Sequence, residues 1–259
     1  AAMATVISQA VVFIVFIFML FFKNHSYISF NLSDFTFSTD IIWDIIKVGL
    51  PASLSMIVMA VGQGVFNKIL VHISVNTVAA YQVAGRLDML VFLPIFSIAA
   101  SLTTLVGMFY GAKEYGALRY IIKYGILSAL LITIISSVIV YTFAGHVVRF
   151  FTDDVSIVII AVNFLQIFAF AYPFIAVGIT TGRVLQGLGK GLPVLIITIV
   201  RVLGVSAPLA LFFVFIMDKT VEWVWYSMML STIVAFGIGL TWLISTLKTL
   251  PTSGQSLNN

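Results

Sequence analysis

The side chains with the most chemical potential here are charged groups inside segments otherwise too apolar to hold them. Residues 76–115 read NTVAAYQVAGRLDMLVFLPIFSIAASLTTLVGMFYGAKEY. At ~1.5 Å per residue a helix of that length crosses a bilayer. Yet Arg86 and Asp88 fall near its middle, with Pro94 just beyond. A charge at that depth costs roughly 2.5–3.5 kcal/mol on insertion scales. A helix that keeps both is expected to face a cavity, a partner helix or a moving solute. Asp88 is the one carboxylate placed deep in any expected span.

Helical spacing groups further polar residues with it. Ser55, Met59, Gln63 and Asn67 recur every four residues and share a face, with Lys68 beside them. In the next span Tyr81, Gly85, Asp88 and Phe92 share a face, and Gln82, Arg86 and Met89 share its neighbour. The two spans are antiparallel, and rise per residue brings Gln63 and Asp88 to about the same depth. The expectation is that Asp88 pairs with Arg86 or Lys68 beside Gln63 and Asn67, either in a water-filled cavity or as a static helix-locking pair. Further along, Asn163, Gln166 and Phe170 share a face before Tyr172-Pro173. Proline there either opens backbone carbonyls to a ligand or only kinks the helix. Arg201, about two turns into its span, snorkels to the interface or pairs inside the bundle.

Other chemistries lack their parts. There are no cysteines, which removes disulfides and thiolate metal sites. His25, His72 and His146 stand far apart at expected helix ends and read as solvated interfacial residues. There is no His-Glu-x-x-His zinc motif and no Gly-x-Ser-x-Gly nucleophile elbow. The second deep carboxylate of a membrane aspartyl protease is absent too. The glycine-rich stretch GRVLQGLGKGLP is not a phosphate-cradling loop. The chain is therefore read as no enzyme, with no cofactor or metal and, lacking any basic run, no nucleic-acid partner.

The elements that position these residues follow from composition. The chain is 61% apolar and 8% charged, against about 25% charged in soluble domains. Lipid is therefore the solvent, and the fold class is an all-α polytopic transmembrane bundle. Charge-poor windows give seven spans, at 1–22, 51–73, 77–109, 123–143, 155–185, 192–216 and 223–247. Between the first two lies a polar linker, 23–50. Ile41, Ile42, Ile45 and Ile46 share one face there, so a helix over 40–48, capped by Asp40, is expected on the membrane surface before Gly49-Leu50-Pro51 turns the chain inward. Lys23, Lys47, Lys113, Arg119, Lys123, Arg183, Lys190 and Lys248 fall on one side, against Lys68, Arg149 and Lys219 on the other. That asymmetry makes the linker, the loop after Gly111 and the C-terminus cytoplasmic in a multi-pass protein of the cell (inner) membrane. The start at Ala1, inside an apolar run, reads as a spanning helix cut at its beginning, and the polar tail 249–259 as disordered.

Four segments in order resemble the C-terminal half of the multidrug and toxic compound extrusion (MATE) family. AAMATVISQ resembles the start of the family's sixth helix, and VGLPASLSMIV the opening of the seventh. AAYQVAGRLDMLVFLPIFSIAASLTTLVGMFYGAKEY resembles the eighth helix and its cytoplasmic turn, and RVLQGLGKGLPVLIITIVR the turn from the tenth to the eleventh.

The resemblance implies a twelve-helix antiporter of two six-helix lobes, with 51–248 forming the second lobe and the N-terminal lobe outside this chain. It implies export of organic, often cationic, amphiphiles in exchange for H⁺ or Na⁺, with membrane lipids around it. The substrate cleft would be walled by Met59, Gln63, Asn67, Tyr81, Gln166 and Tyr172, and Asp88, Arg86 and Lys68 would be the coupling candidates. Where several members carry a carboxylate in the seventh helix this chain has Met59 and Gln63, and the helix around Tyr172 and Ala176 has none. The coupling site is thus either at Asp88 or in the half that this chain lacks. A lipid-linked saccharide flippase of related fold, or an inactive fragment, are the alternatives.

Overall fold

The computed structural model describes residues 2–22 and 37–251. The linker residues 23–36 and the tail beyond Pro251 lie outside them. The chain divides into two units, 1–42 and 43–259. In the first, α1 runs Ala2–Phe22, with its apolar stretch at Val6–Met19.

The second unit is an all-helical bundle, with no strand among the described residues. It takes in most of α2, Thr39–Ile73, and then α3, Val75–Gly111, and α4, Tyr115–Arg149. After these come α5, Val155–Ala169, and α6, Tyr172–Gly187. The last two are α7, Leu192–Ile216, and α8, Glu222–Lys248. Five of these helices are long and apolar enough to cross a membrane, and the bent pair α5–α6 makes a sixth span. Several run past the expected spans, because hydropathy windows register only the lipid-matched part of a helix.

One local expectation is corrected. The surface helix and second span form one helix, α2, with Pro51 inside it and Asp40 within its first turn rather than capping it. Nothing breaks the chain at Gly49-Leu50-Pro51: proline removes one donor, and the turns on either side keep theirs. Gly107 and Gly111 both belong to α3, and the turn after it falls at Ala112–Glu114 with Lys113 at φ 61°. Gly107 lies against α6, where a Cβ on it would stand 3.6 Å from the Gly187 carbonyl oxygen. Lys190 donates to Thr246 Oγ1 of α8 at 3.3 Å and Arg183 to Gln186 Oε1 at 3.2 Å.

The 155–185 span bends by 59° between α5 and α6. Pro173 has no N–H to give the Ala169 carbonyl, one helical turn back. The Ser137 hydroxyl of α4 donates to that carbonyl at 2.7 Å. The bend is thus satisfied inside the protein, as non-helical backbone at membrane depth must be.

Packing centres on α3, which meets α4, α5 and α6, while α8 meets α5, α6 and α7. One apolar cluster joins Phe66 and Leu70 of α2 to Ala80, Ala84, Phe164 and Trp225. A second, toward the other end, joins Leu102, Val106, Ile122 and Leu185. Between them Phe92, Ile95, Ala129, Tyr172 and Ala176 form a third. At the end of α8, Arg119 donates to the Leu247 and Leu250 carbonyls at 3.1 and 3.0 Å, meeting orphan C-terminal acceptors with a cation.

Candidate functional site

Asp88 sits on the inward side of α3, between the first and third clusters. Its carboxylate accepts a hydrogen bond from the Tyr172 hydroxyl at 2.5 Å. Tyr172 stands at the start of α6, fully buried, because the α5–α6 bend and the Pro173 start place it there. Its ring is edge-on to Phe92, one turn from Asp88, with centroids 5.3 Å apart. The expected partners do not reach the carboxylate. Arg86 and Lys68 are exposed and make no hydrogen bond, and there is no ion pair among the described residues. The reason is angular: two residues along a helix point nearly opposite ways, so burying Asp88 turns Arg86 outward.

Tyr81 links this carboxylate to a second polar region. It stands near both Asp88 and Arg201. Its ring stacks on Trp225, with centroids 5.8 Å apart, and meets Phe164 edge-on at 5.5 Å. Tyr81 also lines a cavity of about 140 Å³ together with Met59, Gln63, Arg201, Ser231 and Thr232. Arg201 donates to the Met59 sulfur at 3.7 Å. That arginine belongs to a π-helical turn, Val200–Ser206, a local widening often met at functional sites. Opposite it, α2 and α7 approach so closely that a Cβ on Gly62 would overlap Val202.

The expected cleft residues therefore separate. Met59, Gln63 and Tyr81 meet at one cavity, while Tyr172 binds Asp88 next to it. Asn67 does not join them through any hydrogen bond, and its buried Oδ1 has no partner. Gln166 lines a different cavity, on another face of α5. Arg201 is the residue the sequence left undecided, and its signal was a lone guanidinium inside an apolar window. Trp225, an aromatic residue near the start of its span that reads as interfacial in the sequence, is instead fully buried, its ring walling Tyr81 and its Nε1 without a partner.

Chemically, a carboxylate in an apolar interior with one phenol donor and no cation keeps lone pairs free for a proton or small cation. No cluster of metal-ligating residues occurs among the described residues. The outward face of α3 carries Gln82, Arg86, Ser97 and Ser101 interleaved with exposed Met89, Leu93 and Phe96. Facing lipid, Arg86 would be costly, so the stretch around it suits an aqueous boundary.

Comparison with known proteins agrees with this architecture. The MatE family profile matches residues 51–212. The chain is 27% identical over 210 residues to a probable multidrug resistance protein NorM of Thermotoga maritima, covering 81% of this chain and 45% of that one. It is 28% identical over 191 residues to the multidrug export protein MepA of Staphylococcus aureus, covering 74% and 42%. Among solved structures, a MOP superfamily transporter from Pyrococcus furiosus superposes with a TM-score of 0.90 at 29% identity, over 97% of this chain and 57% of that one. A MATE structure in complex with MaL6 gives 0.90 at 30% identity, over 96% and 56%. The chain spans about half the length of these relatives. It belongs to the multidrug and toxic compound extrusion family, whose members are membrane transporters and not enzymes.

Proposed function

We propose that this chain supplies one lobe of a cation-coupled antiporter that exports organic, often cationic, amphiphiles from the cell across its inner membrane by alternating access. In this reading H⁺ or Na⁺ is the coupling ion, no other cofactor takes part, and the second lobe completes the cleft. The observation that carries it is the Asp88 carboxylate, half-buried against Tyr172 with no cation beside it among the described residues. Binding a proton or Na⁺ there changes the charge of the lobe interior, and a ligand or ion shifts a two-state equilibrium only through such a differential interaction. Met59, Gln63 and Tyr81 offer a soft, aromatic wall suited to bulky cations. The names of the NorM and MepA relatives, which speak of multidrug resistance and export, support the direction and breadth of transport.

The test is efflux of a fluorescent cation by the full-length protein under imposed pH or Na⁺ gradients, with Asp88→Asn alongside. Gradient-driven efflux that Asp88→Asn abolishes supports the reading. Unimpaired efflux by Asp88→Asn moves the coupling site to the other lobe. A second reading, a lipid-linked saccharide flippase, draws on Arg201 as the charged residue lining the Met59–Gln63 cavity. The Pyrococcus furiosus neighbour is itself described as having a binding pocket of reverse polarity that suggests a different function. Absence of gradient-dependent efflux for every cationic dye would favour it.

A further inference from the structure

A cavity of about 300 Å³ opens between α4, α5 and α8, lined by Tyr141, Asn163, Gln166, Phe170, Tyr226 and Met229. It lies on a face of α5 that the Asp88 region does not use. Asn163, Gln166 and Phe170 point into it, whereas Phe164 meets Phe168 and Trp225 on the other side. The Asn163 Oδ1 is buried without a hydrogen-bond donor, and a half-turn of its carboxamide presents it to the cavity that Asn163 lines. Leaving such an acceptor unmet is costly, so an occupant that brings an N–H or O–H is favoured. The lining carries no charge, and Tyr141, Phe170 and Tyr226 are exposed aromatic rings at its mouth.

What surrounds the mouth identifies the kind of occupant. On α4, Leu127, Leu131, Ile134 and Val138 lie in line with Tyr141 and are all exposed. On α8, Leu230, Ile233 and Ile244 lie in line with Tyr226 and are exposed likewise. α6 packs against both helices and so floors the groove between the two strips. Gly237, on the same face as Tyr226, leaves it clear, with no atom within 4 Å of where a Cβ would stand. This is the reverse of the outward face of α3, with its Gln82, Arg86, Ser97 and Ser101. Asn163 lies about 12 Å along α5 from its start and Tyr226 about one turn into α8, near the depth where headgroup meets acyl chain.

We propose that this groove is a phospholipid-binding site. The headgroup, one bearing N–H or O–H donors such as phosphatidylethanolamine, occupies the Asn163 cavity, and the acyl chains lie along the α4 and α8 strips. Phosphatidylcholine has the same chains, but its trimethylammonium has no proton to donate to Asn163. The positive-inside asymmetry puts the site in the outer leaflet.

The experiment uses the full-length protein in nanodiscs of equal phosphatidylethanolamine and phosphatidylcholine with matched chains, followed by mild detergent extraction and native mass spectrometry of retained lipid. Wild type is expected to retain the ethanolamine lipid over the choline lipid by about fivefold, the worth of one net hydrogen bond. Asn163→Leu, similar in size but without an acceptor, should return the ratio to that of the disc. Met229→Trp, which fills the cavity, should lower total retained lipid, and it serves where Asn163→Leu fails to fold. A wild-type ratio equal to the disc ratio, an unchanged ratio in Asn163→Leu, or unchanged retention in Met229→Trp each overturns the proposal. None of these readouts requires transport, so failure of the antiporter reading leaves the test intact.

Discussion

The Ser137 hydroxyl of α4 donates a 2.7 Å hydrogen bond to the Ala169 carbonyl at the end of α5. That carbonyl is the acceptor Pro173 leaves vacant, so a serine on one helix completes a bend in another. The bend in turn delivers Tyr172 to Asp88. Ser137→Ala should therefore destabilise the folded lobe by about 1–3 kcal/mol. The measurement is thermal unfolding in detergent, and Ser137→Thr should recover most of the loss. An unchanged midpoint in Ser137→Ala would show that the carbonyl needs no protein donor.

Tyr172→Phe keeps the ring against Phe92 and removes the one donor to Asp88. The carboxylate then stays buried without a partner, at a cost of about 1–3 kcal/mol or more. Asp88→Asn in the Tyr172→Phe background should recover stability, because a neutral amide is cheaper to bury than a carboxylate. A double-mutant cycle reads this coupling directly. Strictly additive effects would mean that the two side chains do not depend on each other.

Two closely packed glycines should respond unequally to alanine. A Cβ at Gly187 would stand 2.7 Å from the Thr103 carbonyl oxygen, which is backbone. At Gly125 it would stand 2.6 Å from Leu102 Cδ1, the tip of a flexible side chain. Gly187→Ala must push α6 away from α3 and is expected to cost about 1–3 kcal/mol, with Gly125→Ala costing less. Comparing expression and melting of the two variants checks the order.

The absence of cysteine makes this chain suited to accessibility mapping. Single cysteines at Gln82, Arg86 and Ser97 should react with a water-soluble thiol reagent in membranes. Cysteines at Leu131 and Val138 should resist it, since those faces meet lipid. Equal labelling of both sets would show that the α3 stripe is no aqueous boundary.

Asp154 caps α5, accepting from the Ser156 hydroxyl at 2.7 Å and the Ser156 N–H at 2.9 Å. These hydrogen bonds, the hydroxyl first, pull its carboxyl below the usual carboxylate range. A depressed folded pKa means the cap contributes fully above the unfolded value, about pH 4, and is lost as pH falls through the lower folded value. Amide exchange at Ser156 and Ile157 should accordingly accelerate below about pH 4. Asp154→Asn should flatten that dependence while keeping a cap.

Much of the fold was legible along the chain. Lipid penalises every exposed backbone polar group and every stray charge, so apolar windows between basic loops mark helices with little ambiguity. Positions where one residue changes the backbone were less legible. Gly49-Leu50-Pro51 reads as a corner yet lies inside α2. Gly107 and Gly111 both stay in α3, and Gly107 faces Gly187 of α6. In each case a residue type that permits a break was used for packing, and only the neighbouring helix shows which.

By itself the sequence determined the all-helical membrane class, the number and order of the bundle spans, the burial of Asp88 and the family. These follow from composition, periodicity and local motifs, which are properties of adjacent residues. Tertiary structure alone decided the partners. Asp88 meets Tyr172, eighty-four positions away, Arg201 meets Met59, and Gln166 looks into a cavity apart from both. Angular position on a helix limits which faces can be inward, but which inward faces touch depends on how six spans pack together.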